Sequence, residues 1–313
     1  MDCWVLSDGA AGNLRQADAL AQALGGAART WTLAARAPWR FAAPRLLPGS
    51  ANAFGAEFAH ALLAPPQLAV GCGRQAALAT QLLRRRGARA VQVLDPRIPP
   101  SRFDVVVAPE HDGLAGANVV RCIGSLSPVD ESWLAAARAR FAALAALPRP
   151  ITLLLLGGPT RSVAMNPRWF AALATVLERW MERDGGALLV TSSRRTPAWL
   201  ASAVRHRFQG TPGQQWHGPG DGDNPYPGFL AHADRIVVTP DSSNLLSEAA
   251  ATGAPVLVHA PTPLRGKPAR LCAALLQRGN LRWLDASFEP WRPQPLRELP
   301  RVAAEVRRLL GLA

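Results

Sequence analysis

The residues with the most chemistry in them lie in three short segments of the second half of the chain. In Thr239-Pro240-Asp241-Ser242-Ser243-Asn244-Leu245-Leu246-Ser247-Glu248, Asp241 or Ser242 can cap a helix that carries Glu248 about two turns in. A helix N-terminus dressed with small hydroxyl side chains attracts anions, because its first amides lack partners and its dipole is positive there. At roughly 1.5 Å per residue, Glu248 stands about 9 Å from the cap, comparable with the span from a nucleotide's diphosphate to its ribose hydroxyls. The plain alternative is a capped helix with a solvent-facing glutamate. Gly157-Gly158-Pro159-Thr160-Arg161-Ser162 offers glycines that let a phosphate approach the backbone. Ser192-Ser193-Arg194-Arg195-Thr196 offers hydroxyls and two guanidinium forks. Each segment alone is ordinary surface. Together the three favour a nucleotide site.

For these segments to converge, each must follow a strand of one parallel sheet, since ligands bind beyond the carboxyl ends of such strands. The sequence provides the strands. Residues 151–156, 187–191 and 235–239 read as strands, separated by helices over 169–183 and 197–208. A helix over 241–252 and a strand over 255–259 follow. The first half repeats the rhythm with strand 3–6, a glycine turn over 9–12, helix 15–24, strand 68–70, turn 71–73 and helix 75–86. Strands over 90–94, 105–107 and 119–123 then lead to a helix over 130–147. This alternation predicts an α/β fold with parallel sheets covered on both faces. Pro148-Arg149-Pro150 marks the expected boundary between two Rossmann-like halves, 1–148 and 149–286, with a proline-rich connector and closing helix in 287–313.

Composition narrows the function classes. The chain has 313 residues, 49% apolar and 18% charged, which suits about two globular domains. No apolar run approaches 18 residues and no signal pattern opens the sequence, so a cytoplasmic protein is expected. Cys3, Cys72, Cys122 and Cys272 lack CxxC spacing and read as reduced, buried thiols. The histidines show no metal-ligand spacing, and no P-loop, G-x-G-x-x-G or G-x-S-x-G motif is present. The net charge of +13 is almost all arginine, Lys267 being the one lysine, and it is shared between the halves as +5 and +8. It reflects either an Arg-rich composition or a surface that meets phosphate. Trp31, Trp39 and Phe41 interleave with Arg36, Arg40 and Arg45, which suits either core aromatics beside solvated arginines or docking on an anionic leaflet. No basic-aromatic nucleic-acid module appears, so no nucleic acid partner is expected.

The ordered motifs carry a resemblance. Ser7-Asp8-Gly9 through Gly12-Asn13 with Gln16, Gly71-Cys72-Gly73-Arg74, Gln92 with Pro96-Arg97, and Phe103-Asp104 through His111-Asp112 match the elongated-mitochondria (mitochondrial fission) family of GT-B-like glycosyltransferases. So do Gly157-Gly158-Pro159-Thr160, Ser193-Arg194-Arg195-Thr196-Pro197, Asn224-Pro225-Tyr226, and Val238-Thr239-Pro240-Asp241-Ser242 to Ser247-Glu248-Ala249 with Thr252-Gly253. These are eight blocks in the correct order over nearly the whole chain. Ala254 in place of Lys, Asn244 in place of a smaller residue, and Glu110 before the His-Asp pair depart from the pattern. The N-terminal glycine loop (Gly9, Gly12, Asn13) and the Ser…Ser-Glu helix are also similar to the N-acetylglucosaminyl transferase of peptidoglycan synthesis.

The resemblance implies two facing Rossmann-like domains with a C-terminal helix crossing back onto the first. The second would hold a nucleotide diphosphate sugar as substrate, with no separate cofactor and no metal, and the first an acceptor. Gly157, Gly158, Thr160, Ser193, Arg194, Asp241, Ser242 and Ser247 are the expected phosphate-side residues, and Glu248 the expected ribose ligand. Asn224 and Tyr226 are expected to border the base or sugar. Catalysis would rest on stabilising the leaving diphosphate. Asp8, His111 and Asp112 are the candidates for the general base that an inverting transfer needs. A retaining transfer needs none, and the sequence leaves the two open, as it does the sugar, the base and the oligomeric state. An envelope or lipid-linked acceptor on the inner face of the cytoplasmic membrane is the destination implied by analogy. Because plant members recruit a dynamin-related fission protein, the competing reading is a non-enzymatic adaptor on the same scaffold. The intact donor-side motifs favour a working site.

Overall fold

The strand-length apolar runs and the alanine-rich helices between them build two six-stranded parallel sheets in the computed structural model, which describes residues 1–312. The chain divides into two units, 1–128 with 298–312, and 129–297. In the first, β1 (Asp2–Ser7), β2 (Ala27–Thr32), β3 (Leu68–Cys72), β4 (Arg89–Val93), β5 (Val105–Pro109) and β6 (Val119–Cys122) take the order β2-β1-β3-β4-β5-β6. Successive side chains of β1 alternate between two apolar layers, Cys3 and Val5 into one, Trp4 and Leu6 into the other. Both faces are therefore covered, by α1 (Ala11–Ala23), the short helices α2 (Trp39–Ala42) and α3 (Ala56–Ala61), and α4 (Arg74–Arg84).

The second unit opens with α5 (Glu131–Arg140) and runs through β7 (Ile151–Leu156), α6 (Pro167–Asp184), β8 (Ala187–Ser192), α7 (Ala198–Arg207) and β9 (Gly213–Trp216). It continues with α8 (Tyr226–His232), β10 (Arg235–Val238), α9 (Ser243–Ala251), β11 (Val256–Val258), α10 (Gly266–Gln277) and β12 (Leu281–Trp283). The strand order is β12-β11-β10-β7-β8-β9, so β7 lies centrally between β10 and β8. The closing helix α11 (Leu299–Leu310) belongs to the first unit, where Val302, Val306 and Leu310 join the apolar layer on which α1 packs.

Three local expectations are corrected. The units part at Pro128, twenty residues before the proline triplet, because α5 packs on α8 of the second unit and Arg138 Nε donates to the Ala231 carbonyl at 2.9 Å. The expected helix over 130–147 breaks at Phe141, whose side chain fills the space that Gly228 leaves open on α8. The glycine turn ends early, since α1 begins at Ala11 and Gly12 falls inside its first turn. Of the two readings of the aromatic–arginine stretch, Trp31 takes that of a core aromatic: it is buried, 5.3 Å ring to ring from both Trp4 and Phe58, with Arg29 stacked over it. Trp39 is half-buried, and Phe41, 70% exposed, is the outlier of that trio. All four cysteines are free and buried. Burial pushes the Cys3, Cys122 and Cys272 thiols up to about 12 and Cys72 higher still, which keeps them unreactive. Among the described residues no helix is long and apolar enough to cross a membrane.

Candidate functional site

The strand order brings the loops after β10, β7 and β8 side by side at the carboxyl edge of the second sheet. Their contacts explain why these residue types recur. Asp241 lies under the loop after β7 with its side chain fully buried. Its carboxylate accepts the Gly158 amide at 2.9 Å, the Thr239 hydroxyl at 2.6 Å and Arg195 Nη2 at 2.6 Å. Thr239 Oγ1 in turn accepts the Gly157 amide at 2.8 Å. A side chain at Gly157 would place its Cβ 2.2 Å from the Asp241 oxygens, and one at Gly158 would strike the Arg195 carbonyl at 2.3 Å. The two glycines are therefore required first for interlocking the loops, with Asp241 filling room that the sequence reading gave to phosphate.

Other hydroxyls are turned the same way. Ser193 Oγ accepts the Arg195 amide at 3.2 Å, and Thr196 Oγ1 donates to the Gly157 carbonyl at 2.6 Å. Thr160 Oγ1 accepts the amides of Ser162 and Val163. Ser242 caps α9, taking the Leu245 amide at 3.4 Å, and the Ser247 hydroxyl donates to the Ser243 carbonyl at 2.7 Å within that helix. What stays uncommitted among the described residues is cationic. Arg161 and Arg194 are exposed and make no hydrogen bond or ion pair there. They belong to the loops after β7 and β8, next in strand order to the loop that opens α9, and make the rim of this sheet edge cationic where the first α9 amides also attract anions.

Behind the rim, two expected residues meet. Tyr226 opens α8 and its hydroxyl donates to Glu248 Oε2, both residues buried, at 7% and 3% exposure. Asn224 holds the turn before α8 by accepting the Tyr226 amide at 3.0 Å. Glu248 is thus an interior carboxylate fixed by a phenol, rather than a solvent-facing one.

Sequence reasoning missed a pair beside these loops. Ser192, at the end of β8, lies 2.7 Å from His217 Nδ1, and His217 Nε2 lies 3.1 Å from Gln215 Oε1. Gln215 is an acceptor there, which places the ring proton on Nε2 and makes Nδ1 the acceptor of the Ser192 hydroxyl. Burial and then Arg205 hold the His217 pKa below its usual value, so the ring is neutral near pH 7. The missed signal was the edge strand β9, whose polar Gln-Gln did not read as a strand.

At the carboxyl edge of the first sheet, Asp8 Oδ1 accepts the Ala10 amide and Asn13 Nδ2, each at 3.1 Å, across the left-handed Gly9 (φ +78°). Gly73, also left-handed, lies so close that a Cβ there would stand 2.8 Å from Asn13 Nδ2. His111 and Asp112 follow β5, three strand positions from β1 and so about 14 Å away at roughly 4.8 Å per strand. His111 Nε2 lies 3.6 Å from Asp112 Oδ1, both side chains buried. The structure therefore offers two separate candidate base positions, and Gly12 belongs to neither. Among the described residues no group of His, Cys, Asp and Glu is placed to hold a metal ion.

The family model described as Mitochondrial fission ELM1 matches residues 11–310. The chain belongs to that family. The Mitochondrial fission protein ELM1 of Arabidopsis thaliana is 30% identical over 280 residues, which is 79% of this chain and 64% of the plant protein. This ELM1-family chain thus spans less than two thirds of that relative's length. Among solved structures, the UDP-GlcNAc 2-epimerase of Methanocaldococcus jannaschii aligns over 99% of this chain and all (100%) of its own, at a TM-score of 0.60 and 12% identity. The E. coli ADP-heptose LPS heptosyltransferase II aligns over 99% of each chain, at 0.50 and 15%. At such identities the likeness is one of fold, and the fold of this ELM1-family chain is GT-B.

Proposed function

We propose that this ELM1-family protein binds a nucleotide diphosphate sugar at the carboxyl edge of its second sheet and transfers the sugar to an acceptor. The observation that carries this reading is the uncommitted pair Arg161 and Arg194 beside the α9 N-terminus, with the Tyr226–Glu248 pair behind it. Two guanidinium groups and oriented amides stabilise charge developing on a leaving diphosphate, and a buried, pre-oriented carboxylate suits ribose hydroxyls. The names of both solved neighbours contain a nucleotide sugar, which supports the ligand class more strongly than the reaction. An acceptor-side base, if the transfer inverts, is assigned to Asp8 or to the His111–Asp112 pair.

Calorimetry with a panel of nucleoside diphosphates and their sugars tests the reading. One base class should bind saturably, about tenfold or more weaker in Arg194→Ala, since a charge-assisted hydrogen bond is worth about 1.5–3 kcal/mol. Tyr226→Phe should weaken sugar nucleotides and free diphosphates alike. A folded protein that binds none of the panel would support the adaptor reading. That reading is favoured by the Asp241 lock, which takes an amide and a guanidinium a diphosphate would otherwise use.

We propose further that the protein works at the inner face of the cytoplasmic membrane, on an envelope or lipid-linked acceptor. Exposed Phe41 among Arg36, Arg40 and Arg45 is the supporting feature, and the segment 33–56 carries no acidic residue. Such a patch binds anionic headgroups by charge and inserts its ring at the interface. Cosedimentation with vesicles rich in phosphatidylglycerol should exceed that with phosphatidylcholine and fall in Phe41→Ser. Equal pelleting with both would remove the membrane from the proposal.

A further inference from the structure

At the amino edge of the second sheet, the end remote from the donor loops, lies a cavity of about 1010 Å³. Its wall is largely apolar, with Leu134 of α5, Leu230 of α8, Pro255, Phe288 and Trp291 among the residues that form it. Four arginines, Arg138, Arg183, Arg235 and Arg292, also line it, against two carboxylates, Asp184 and Asp234.

Arg235 is the unusual member. Its side chain is 3% exposed, and its guanidinium carbon lies 4.4 Å over the Trp180 ring and 5.2 Å over that of Phe288. Nε donates to Thr152 Oγ1 at 2.8 Å and Nη1 to Asp184 Oδ2 at 2.7 Å. Nη2, shielded from solvent, has no hydrogen-bond partner. A buried cationic donor left unmatched is costly, and folded proteins seldom retain one without a reason.

The surrounding charges do not balance it. Asp184 is shared, because Arg183 Nε also takes it at 2.6 Å. Asp234 is taken by Arg149 and by the Ile151 amide. Helices α8 and α9 end toward this edge, where their partial negative charge could offset cations. Those ends are already met: Arg138 reaches the Ala231 carbonyl at 2.9 Å and Arg297 the Ala251 carbonyl at 3.4 Å. Arg292 is exposed and makes no hydrogen bond or ion pair among the described residues. An apolar cavity is thus lined by one arginine with an unmatched N–H, Arg235, and one exposed arginine without a partner, Arg292.

We infer that this cavity binds an organic anion, a phosphate monoester or carboxylate carried on an apolar chain, with Arg235 and Arg292 on the charged group and the apolar wall along the chain. Its volume is that of a small-molecule site, and planar guanidinium forks suit either headgroup. The site does not depend on the donor reading, since it lies at the other end of the sheet.

Calorimetry on the full chain with octyl phosphate, octanoate, inorganic phosphate and neutral octyl glucoside tests it. At least one octyl anion should bind saturably, one per chain, about tenfold or more tighter than inorganic phosphate because the chain leaves water. Preference between octyl phosphate and octanoate then identifies the headgroup. Arg292→Glu, at an exposed position that the fold does not need, should weaken binding about tenfold or more, because it replaces attraction by like-charge repulsion. Arg235→Lys, checked for native circular dichroism, should do the same, whereas Arg194→Glu at the donor edge should change nothing. The inference fails if no octyl anion binds or if octyl glucoside binds equally well. It fails too if Arg292→Glu leaves affinity unchanged, or if Arg194→Glu is the variant that abolishes binding.

Discussion

At Asp241 a carboxylate without side-chain exposure meets the Gly158 amide, the Thr239 hydroxyl and the Arg195 guanidinium, so three strand-end loops share one anion. Truncating it leaves three donors unmatched at once. Asp241→Ala should therefore lower the unfolding free energy of the second unit by about 2–4 kcal/mol in urea titrations. A loss under about 0.5 kcal/mol, the size of an ordinary surface substitution, would mean that the carboxylate does not tie the loops. Gly157, Gly158, Ser193, Asp241 and Ser242 were all singled out from sequence, because capping residues and glycines after apolar strands have few other uses. Their partners were not legible. A hydroxyl or carboxylate suited to a ligand's environment is equally suited to a neighbouring loop, and only the strand order decides which one it meets. Glu248 shows the converse, where the residue was found from its spacing but its burial against Tyr226 was not.

Elements were legible in proportion to their burial. Central strands such as β7 are apolar but for one threonine and announce themselves, whereas β2, β9 and β12 lie at sheet edges and mix polar with apolar residues, which hides them. Helix α8 begins Tyr-Pro-Gly and α10 begins Gly-Lys-Pro, so breaker residues hid both. The closing helix α11 was read as a helix, and the structure adds what it does. Val302, Val306 and Leu310 are buried in the layer that holds Leu20, Val105 and Val107, and Arg307 donates to the Ala23 carbonyl at the end of α1. Each buried aliphatic side chain contributes about 1.5–3 kcal/mol, so the three together rival the whole stability of a domain, about 5–15 kcal/mol. Ending the chain after Arg297 should accordingly unfold the first unit while sparing the second, whose apolar layer around Leu173 and Trp180 contains no residue of α11. Limited proteolysis with mass spectrometry should then recover a resistant fragment near 129–297 and rapid loss of 1–128. Equal resistance of both units in the shortened chain would show that α11 is dispensable.

At the scale of the whole molecule, three histidines give the second unit an acid sensitivity of its own. His217, His232 and His259 all belong to the second, and in each, burial is the largest influence, holding the pKa below the usual imidazole value. The His259 Nε2 proton is donated to the Trp169 carbonyl at 3.0 Å, a bond that works against the lowering, and burial outweighs it. A basic group with a depressed folded-state pKa takes up its proton more readily in the unfolded chain. The unfolded state therefore binds more protons once pH falls below about 6.5, and stability declines from there as pH drops. The opposing carboxylate effects lie lower. Asp184, held to about 2 chiefly by the hydrogen bond from Arg183 and also by Arg235, keeps its charge throughout this window, so the ion pairs beneath the sheet survive it. Thermal unfolding followed at pH 7.5 and 5.5 should show a lower Tm at the acid end, with hydrogen exchange placing the loss in 129–297. His259→Gln, which preserves a donor toward the Trp169 carbonyl but cannot titrate, should flatten part of that slope. A Tm that stays level or rises on acidification would mean that these histidines are protonated in the folded protein, and that burial does not set their charge.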